Sequence, residues 1–554
     1  MWNKNYEIWK NAQLPKNLHN ELENLEDEEI KDAFYQDISF GTAGLRGIMG
    51  VGTNRINEII IKKITKGFGN YLINNNLTGG VAIAYDNRIN SKEFAFIAAR
   101  VLAALNIKTY IYPELRPTPM LSFAVRHFKT SGGIMITASH NPKEYNGYKV
   151  YNKHGGQVGL EDSEKIIKEI SLIDDIFNID EIDNDLINLI DLEEIDTIYL
   201  NKVKGITINN FKSKATILFS PLHGTAGTVV PKLMKEDNYD FHAYEPHMIF
   251  DGNFPNIKSA NPEEKIAYDD LIAYAKEINA DIITLTDPDA DRLGVAVKSN
   301  DSYEILNGNQ TAVIILYYLL TQKVKNNIDI ENGYVFTSNV TSDLIIDIAK
   351  DYNLNVVVTL SGFKFIAEAI TEIPNNYPYI YGCEESNGNI ISDFVRDKDA
   401  VQAVYMFAEI ASFLKNNNLN FIDYLEEIYS KYGYYLELTK SYTFKGIKGK
   451  HAMNSILMNL RKNALEIPFA NLIDIEDNLK QSIYDLKTKS IKASSLPKAD
   501  VLKYRYDDNS WIIVRPSGTE PKLKIYFSVK GNSLNDSRVK LYRIIKFIDN
   551  KLSL

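Results

Sequence analysis

Short apolar segments alternate with amphipathic helical segments in the first part of this chain, and this alternation limits the fold more than any other feature. A helical segment with Ile60, Ile64, Phe68 and Leu72 on one face precedes a predicted strand at 81–84, and further helix and strand signals follow. Such alternation predicts a layered α/β domain with a largely parallel sheet.

One of these strands leads into the segment 131–151, which reads SGGIMITASHNPKEYNGYKVY. Its run IMIT is typical of a buried strand, and the turn formers SHNP then place Ser139 at a strand end, where α/β proteins usually bind ligands. The hydrolase elbow G-x-S-x-G is excluded because Thr137 and Asn141 replace its glycines. A helix cap or an Asx-turn is the alternative for the turn alone, but three further segments favour a functional serine.

The second segment carries three aspartates, Asp287, Asp289 and Asp291, just after a predicted buried strand. Carboxylates this close together are unfavourable without a cation, and an all-oxygen set suits a hard ion such as Mg²⁺. An EF-hand is excluded because Arg292 and Lys298 stand where that loop needs Gly and Glu. The alternative is a solvated acidic loop, but the neighbouring buried strand favours a metal site.

The third and fourth segments carry polar groups suited to a phosphorylated sugar. In GCEESNG at 382–388, adjacent carboxylates and a serine could bind sugar hydroxyls, although Glu-Glu-Ser is also ordinary surface sequence. In RPSGTEP, Arg515 with the hydroxyl and N–H groups of Ser517, Gly518 and Thr519 predicts a phosphate nest, with a simple hairpin turn as the alternative. A serine, a metal site, a sugar loop and a phosphate nest together indicate phosphoryl transfer on a sugar phosphate.

Two rival functions are weighed against this one. A haloacid-dehalogenase-type enzyme would use Asp287 as nucleophile and Asp289 as acid/base, but Asp291 stands where that motif has Thr or Val, and Ser139 is left unused. A catalytically silent sugar-phosphate-binding protein is the rival from another class, and the sequence offers no support for it.

The glycine-rich segment FGTAGLRG at 40–47 predicts a further loop whose backbone can approach an anion closely. The alternative is a plain glycine turn.

Length and composition define the general class. A chain of 554 residues with 45% hydrophobic content can form three or four domains. The net charge of -10 argues against nucleic acid and anionic membranes as partners, and the single cysteine, Cys383, excludes internal disulfides. No signal peptide is recognised and the longest apolar run, 311–320, is too short for a bilayer, so a soluble, cytoplasmic protein is expected. The predicted domains are 1–205, 206–304, 305–428 and 429–554.

TASHNP, DPDADR, GCEESNG and RPSGTEP resemble, in this order and spacing, the four signature loops of the α-D-phosphohexomutase family. The wording of FGTAGLRG and TASHNPKEYNGYKVY is most similar to the phosphoglucomutase-2/phosphopentomutase branch, shared with bacterial phosphoglucomutase/phosphomannomutases. The resemblance implies an α/β fold with three related α/β domains and a smaller α+β C-terminal domain around a central cleft. No internal repeat is legible in the sequence.

The resemblance also implies a role for each residue. Ser139 becomes the phosphoserine, which passes its phosphoryl group to glucose 1-phosphate or glucose 6-phosphate. The intermediate formed is glucose 1,6-bisphosphate, which is also the expected activator. Mg²⁺ is held by Asp287, Asp289, Asp291 and a Ser139 phosphate oxygen. The transferring group is surrounded by Arg46, His140 and Lys149, with Lys149 as general base. The substrate-binding residues are Thr42, Arg292, Lys364, Glu384, Ser386, Arg515, Ser517, Gly518 and Thr519.

The sequence departs from the family pattern in two places, of which only the second bears on the substrate. Pro288 replaces a common glycine in the metal loop, and the sugar loop lacks the Glu-x-Ser-Gly-His of dual-specificity phosphomannomutases, which favours glucose. Phosphomannomutase, phosphopentomutase and glucose 1,6-bisphosphate synthase activities stay open, as does a monomeric or dimeric state.

Overall fold

The structure, a computed structural model, describes residues 2–41, 44–211, 214–374, 376–444, 446–516 and 522–552, with the side chains of 446–448 and 450 excepted. Over these residues the chain forms three mixed α/β sheets followed by one antiparallel sheet. The predicted fold class, three α/β domains and an α+β C-terminal domain, is confirmed. In the part of the chain described, no helix combines the length and apolar character needed to cross a membrane.

The first unit surrounds a sheet of order β1-β5-β4-β2-β3-β6. Its strands are β1 Gly44–Ile48, β2 Val81–Tyr85, β3 Thr109–Ile111, β4 Gly132–Ile136, β5 Tyr145–Asn152 and β6 Ile187–Leu189. Its helices are α1 Trp2–Asn11, α2 Lys16–Asn24, α3 Asp27–Phe34, α4 Glu58–Asn74, α5 Ser91–Ala104, α6 Thr118–His127, α7 Leu160–Ser171 and α8 Leu192–Lys204. Successive residues of β2 face opposite sides, so Ile83 packs with α5 and Ala84 with α6.

The second and third units repeat part of this plan. The second has β7 Thr216–Ser220, α9 Val230–Glu236, β8 Asp240–Ala243, α10 Asp269–Ile278, β9 Ile282–Thr286, β10 Leu293–Ser299 and β11 Ser302–Leu306. The third has α11 Gly308–Lys325, β12 Tyr334–Ser338, α12 Leu344–Asp351, β13 Asn355–Thr359, α13 Phe363–Glu372, β14 Tyr379–Glu384, β15 Gly388–Ile390, α14 Ala400–Asn416 and α15 Phe421–Tyr432. The sequence Asn261-Pro262-Glu263-Glu264 predicts an N-cap and the first turn of a helix, but α10 begins at Asp269, because a 3₁₀ helix at Lys265–Tyr268 precedes it.

A common strand order unites these three units. Each sheet contains three parallel strands in the spatial order second-first-third, and a fourth strand lies antiparallel beside the third: β3-β2-β4-β5, β8-β7-β9-β10 and β13-β12-β14-β15. The structure thus contains a threefold repeat that the sequence did not reveal. The link between the third and fourth strands is a short loop in every unit.

The fourth unit is an antiparallel sheet of order β16-β22-β21-β20-β17-β18-β19 flanked by two long helices. Its elements are β16 Tyr434–Thr443, α16 Gly446–Lys462, β17 Leu472–Asp477, β18 Ser482–Asp485, β19 Ile491–Ala493, β20 Leu502–Tyr506, β21 Trp511–Pro516, β22 Lys522–Gly531 and α17 Leu534–Leu552. The divisions predicted at 304/305 and 428/429 fall inside β11 and α15, so we place them after these elements, because strand pairing and helix packing fix the ends.

Candidate active site

The site forms where the repeated loops of the three α/β units meet. The serine loop (137–144) joins β4 to β5, the acidic loop (287–292) joins β9 to β10, and the glutamate loop (384–388) spans the turn from β14 to β15. Each contains one non-glycine residue with a left-handed backbone: Ser139 (φ 50), Ala290 (φ 56) and Asn387 (φ 62). The structure therefore brings together three segments that sequence reasoning had singled out separately.

Ser139 lies at the junction of the serine and acidic loops. Its Oγ donates a 2.7 Å hydrogen bond to Asp287 Oδ2 and lies 3.3 Å from His140 Nδ1. Its backbone N–H donates to Thr137 Oγ1 at 2.9 Å. Only 6% of the residue is exposed, so the hydroxyl is held in one place against the aspartates.

The three aspartates form a buried cluster. Carboxylate oxygens of Asp287, Asp289 and Asp291 lie within 4.8 Å of one another, and the residues are at most 3% exposed. Among the described residues, Asp289 Oδ1 and Asp291 Oδ1 have no hydrogen-bond partner although they are buried, and Asp291 Oδ1 lies 3.8 Å from Arg292 Nε. Buried carboxylate oxygens without a hydrogen bond and an all-oxygen donor set fit a hard divalent cation, and the burial rules out the solvated acidic loop.

Two lysines from other units balance part of this charge. Lys149 Nζ on β5 lies 2.7 Å from Asp289 Oδ2 and 3.4 Å from Asp291 Oδ2, and Lys398 Nζ lies 3.2 Å from Asp291 Oδ2. Burial and then the two neighbouring carboxylates raise the pKa of Asp287 well above its usual value. Burial acts the same way on Asp289, but Lys149 outweighs it and holds the pKa of that carboxyl below its usual value.

The surroundings of Lys149 differ from those expected for a general base. Burial near cations would assist Lys149 as a general base, because both lower the pKa of an ammonium group. Burial does lower it, but Asp289 and Asp291 outweigh burial, so the pKa of Lys149 is raised. The structure does not show this lowering, because the carboxylates of Asp289 and Asp291 lie only 2.7 and 3.4 Å from the ammonium.

The other groups expected around the transferring phosphoryl also lie at this junction. Burial, followed by Arg292 and Arg46, lowers the pKa of His140 to about 2, so its ring is neutral. Arg46 on β1 donates from Nη1 to Asn141 Oδ1 at 2.6 Å. Arg292 donates from Nη1 to Glu263 Oε1 at 2.5 Å. Both guanidinium groups thus border the serine and acidic loops.

The glutamate loop uses its acids differently. Glu384 Oε1 accepts a 2.6 Å hydrogen bond from the N–H of Gly362, and Glu385 Oε2 accepts one from Ser338 Oγ at 3.2 Å. Burial raises the pKa of Glu384, whereas Lys398, Arg292 and Arg515 oppose this, which places all these cations near one carboxylate. Ser386 is half-buried.

Only some of the remaining predicted residues lie in the part of the chain that the structure describes. Lys364 is buried near Phe365, and burial lowers its pKa. Arg515 is half-buried at the end of β21, opposite Lys524 on β22. Four predicted residues lie outside the described residues: Thr42, Ser517, Gly518 and Thr519.

Three residues at the site escaped sequence reasoning. Thr118 donates from Oγ1 to Asp289 Oδ2 at 3.0 Å, Lys398 pairs with Asp291, and Arg88 donates to backbone carbonyls of the serine loop. The sequence signal for Arg88 was its place in the short charged segment DNR at 86–88, and for Lys398 its place in RDKD at 396–399. Charge alone did not reveal which distant residue each would contact.

Comparisons with known proteins agree with this architecture. Models of the phosphoglucomutase/phosphomannomutase alpha/beta/alpha domains I, II and III match residues 37–176, 197–300 and 307–432, and the model of the C-terminal domain matches 458–536. Phosphoglucomutase of Staphylococcus aureus is 36% identical over 557 residues, covering 97% of this chain and 98% of that protein.

Solved structures share the fold at lower identity. A phosphoglucomutase/phosphomannomutase family protein from Burkholderia thailandensis has a TM-score of 0.68 at 18% identity, covering 92% of this chain and 96% of its own. The open form of the Paramecium phosphoprotein parafusin, a phosphoglucomutase, has a TM-score of 0.68 at 18% identity, covering 94% and 95%. Because all four domain models match and the Staphylococcus aureus phosphoglucomutase aligns over nearly its full length, the chain belongs to the phosphoglucomutase/phosphomannomutase family of isomerising phosphotransferases.

Proposed function

We propose that this protein is a phosphoglucomutase that interconverts glucose 1-phosphate and glucose 6-phosphate through a phosphorylated Ser139. The observation that carries the proposal is the 2.7 Å hydrogen bond between Ser139 Oγ and Asp287 inside the buried aspartate cluster. The name of the Staphylococcus aureus relatives supports glucose as the sugar. The residues at the site suit phosphoryl transfer, in which positioning and charge neutralisation provide most of the catalysis.

Ser139 would carry the phosphoryl group between turnovers. The P–O bond to Ser139 Oγ breaks as a bond to the free hydroxyl of the sugar phosphate forms, the hydroxyl proton passes to a nearby base, and Ser139 Oγ takes up a proton as it leaves. Lys149 is the candidate for the base, provided that a bound cation offsets the charge of Asp289 and Asp291, which otherwise keep its ammonium protonated. The product of this step is glucose 1,6-bisphosphate, which turns round and returns its other phosphoryl group to Ser139. His140 and Arg46 border the transferring group, and added glucose 1,6-bisphosphate would activate the enzyme by phosphorylating Ser139.

Asp287, Asp289 and Asp291 would hold Mg²⁺ together with a phosphate oxygen on Ser139. The bound ion would supply charge neutralisation for a dianionic phosphoserine beside three carboxylates. Asp289 Oδ1 and Asp291 Oδ1 are buried and accept no hydrogen bond from the described residues, which supports this assignment.

The substrate would contact the other loops. Glu384 and Ser386 bind sugar hydroxyls that both orientations of the bisphosphate present, while Arg292 and Lys364 help to set its orientation. Arg515, with Ser517, Gly518 and Thr519, binds the phosphate that is not reacting, and Thr42 contributes from the glycine-rich loop. The proximity of Arg515 to Glu384 supports a cleft shared by the third and fourth units.

A coupled assay of the wild type and Ser139→Ala tests the proposal. Each protein is offered glucose 1-phosphate, mannose 1-phosphate and ribose 1-phosphate in turn, with Mg²⁺ and a trace of glucose 1,6-bisphosphate. We expect glucose 1-phosphate to be the best substrate, and kcat to fall by about 1000-fold or more in Ser139→Ala because the nucleophile is lost. Ser163→Ala removes another buried hydroxyl of the first unit and should keep full activity.

Other results would redirect the proposal. Faster turnover of the mannose or ribose ester would identify a phosphomannomutase or phosphopentomutase acting by the same route. Full activity in Ser139→Ala would contradict the phosphoserine route. Net formation of glucose 1,6-bisphosphate from another phosphoryl donor would indicate a bisphosphate synthase.

A further inference from the structure

One guanidinium group holds most of the serine loop. Arg88 Nη2 donates to the carbonyl oxygens of Ser139 and Asn141 at 2.5 Å each, and Nη1 donates to those of Pro142 and Tyr145 at 2.9 and 3.0 Å. Arg88 is only 3% exposed. Its four donated bonds therefore fix the path of the backbone over seven residues, 139 to 145, from inside the protein.

The serine loop needs such an anchor. Ser139 has φ 50, a left-handed conformation that is unfavourable for a residue other than glycine. The bond from Arg88 to the Ser139 carbonyl fixes the orientation of the peptide that follows the serine, and the bond from Ser139 N–H to Thr137 Oγ1 fixes the one before it. Together the two bonds set the direction in which Oγ points.

Arg88 is itself held on its other sides. The side-chain Nε of Arg88 lies 3.4 Å from Asp86 Oδ2, and the backbone N–H of Arg88 donates to Asp86 Oδ1 at 3.0 Å. Ser91 Oγ donates to the same Asp86 oxygen at 2.7 Å, and the ring of Phe254 lies 5.1 Å from Arg88 Cζ. The guanidinium plane is thus fixed by an anion from its own loop and by an aromatic ring from the second unit.

We propose that Arg88 is a positioning residue for phosphoryl transfer, which acts through the serine-loop backbone and not by touching the substrate. The inference rests on the proposed role of Ser139 as nucleophile. Because a displacement of about 1 Å at a reacting atom can cost about 100-fold in rate, loosening this loop should reduce kcat. Binding of the sugar and of the distal phosphate depends on other loops, so KM should change little.

The test compares kcat and KM for glucose 1-phosphate in Arg88→Lys and in a matched control. Lysine keeps the charge but cannot reach four carbonyls with a planar fork. We expect Arg88→Lys to lower kcat by about 100-fold with KM changed less than about twofold. The control, Arg116→Lys, alters a buried arginine of the same unit that pairs with Asp196 at 2.9 Å and does not contact the serine loop, so kcat should stay near wild type.

Two further variants keep the test decisive if Arg88→Lys folds poorly. Asp86→Asn keeps Arg88 but removes its anion, and we expect about a tenfold lower kcat at unchanged KM. In Arg88→Ala, added guanidinium ion should restore part of the lost kcat, with no such effect on Arg116→Ala. Wild-type kcat in folded Arg88→Lys and Asp86→Asn, or an equal loss in Arg116→Lys, would overturn the proposal.

The failure of this inference is separable from failure of the proposed function. An inactive Ser139→Ala beside a fully active Arg88→Lys would refute only the positioning role. An active Ser139→Ala would refute the phosphoserine route, on which the positioning role depends.

Discussion

The acidic loop and the glutamate loop occupy the same position in two sheets of the same strand order, yet their carboxylates have different direct partners. In the acidic loop, Lys149 and Lys398 contact Asp289 and Asp291, and one oxygen of each carboxylate accepts no hydrogen bond from the described residues. In the glutamate loop, the acids accept hydrogen bonds from neutral groups of their own unit, and burial raises the pKa of both.

The difference teaches how one framework can support several chemical roles. The strand order fixes where a loop is delivered, whereas side chains from neighbouring units decide the ionisation state of its acids. A carboxylate in direct contact with a lysine, such as Asp289, is favoured in its charged form and suits a metal, whereas burial without such a contact favours protonation.

The largest contrast is expected in the response to Mg²⁺. Asp289→Asn removes the charge of one proposed Mg²⁺ ligand. We expect the Mg²⁺ concentration for half-maximal activity to rise by about 100-fold, because losing a direct ligand should cost at least as much affinity as losing a residue that only supports a ligand. Glu384→Gln, the matched change in the glutamate loop, should raise KM for glucose 1-phosphate by about tenfold and leave the Mg²⁺ requirement unchanged. Equal Mg²⁺ shifts in both variants would contradict the assignment of separate roles.

A smaller effect is expected for the stability supplied by Lys398. Lys398→Met leaves Asp291 and Asp397 buried with fewer cations, which should cost about 3–5 kcal/mol in the presence of a chelator. Mg²⁺ should reduce that loss because the ion replaces part of the missing charge. The readout is the thermal unfolding midpoint with and without Mg²⁺.

Lys503→Met provides the control for that experiment. Lys503 is also buried, but it donates to the Asn339 carbonyl at 3.3 Å and lies over Trp511, far along the chain from the aspartates. Its loss should be the same with and without Mg²⁺. The explanation for Lys398 would fail if Mg²⁺ protected both variants equally.

The smallest effect is expected in the pH dependence of stability at Glu385. Burial, and then Glu384, raise the pKa of Glu385 to about 7 from 4.5. Between these values the unfolded chain loses its proton first, so ionisation of Glu385 destabilises the folded state as pH rises. Below this pH range Glu385 is protonated in both the folded and the unfolded state, so it does not make the free energy of unfolding depend on pH.

Glu385→Gln removes this ionisation. Its unfolding midpoint relative to wild type should therefore rise between pH 5 and pH 8. Glu277→Gln, at an exposed position of α10, controls for the loss of one negative charge. Parallel profiles for wild type and Glu385→Gln would show that Glu385 does not ionise in this range.

Much of the fold was predictable because local patterns encode it. The apolar runs around 81–84, 134–137 and 281–285 correspond to β2, β4 and β9, since a buried strand needs consecutive apolar residues. Element ends were less accurate: the helix predicted from Asn261 begins at Asp269, and β11 and α15 extend past the predicted divisions. Those ends depend on pairing and packing, which a local pattern does not contain.

The sequence by itself determined which chemistry the chain carries, because a serine, three aspartates, two glutamates and an arginine nest each lie in a short motif at the end of an apolar run. Only the tertiary structure decided that three of these loops are equivalent in strand order, that Arg88 holds the serine loop, and that Lys149 faces anions. These features join residues 51 to 148 positions apart, such as Arg88 with Ser139 and Ser139 with Asp287. Contacts over such separations arise from the packing of whole units, and no local pattern specifies them.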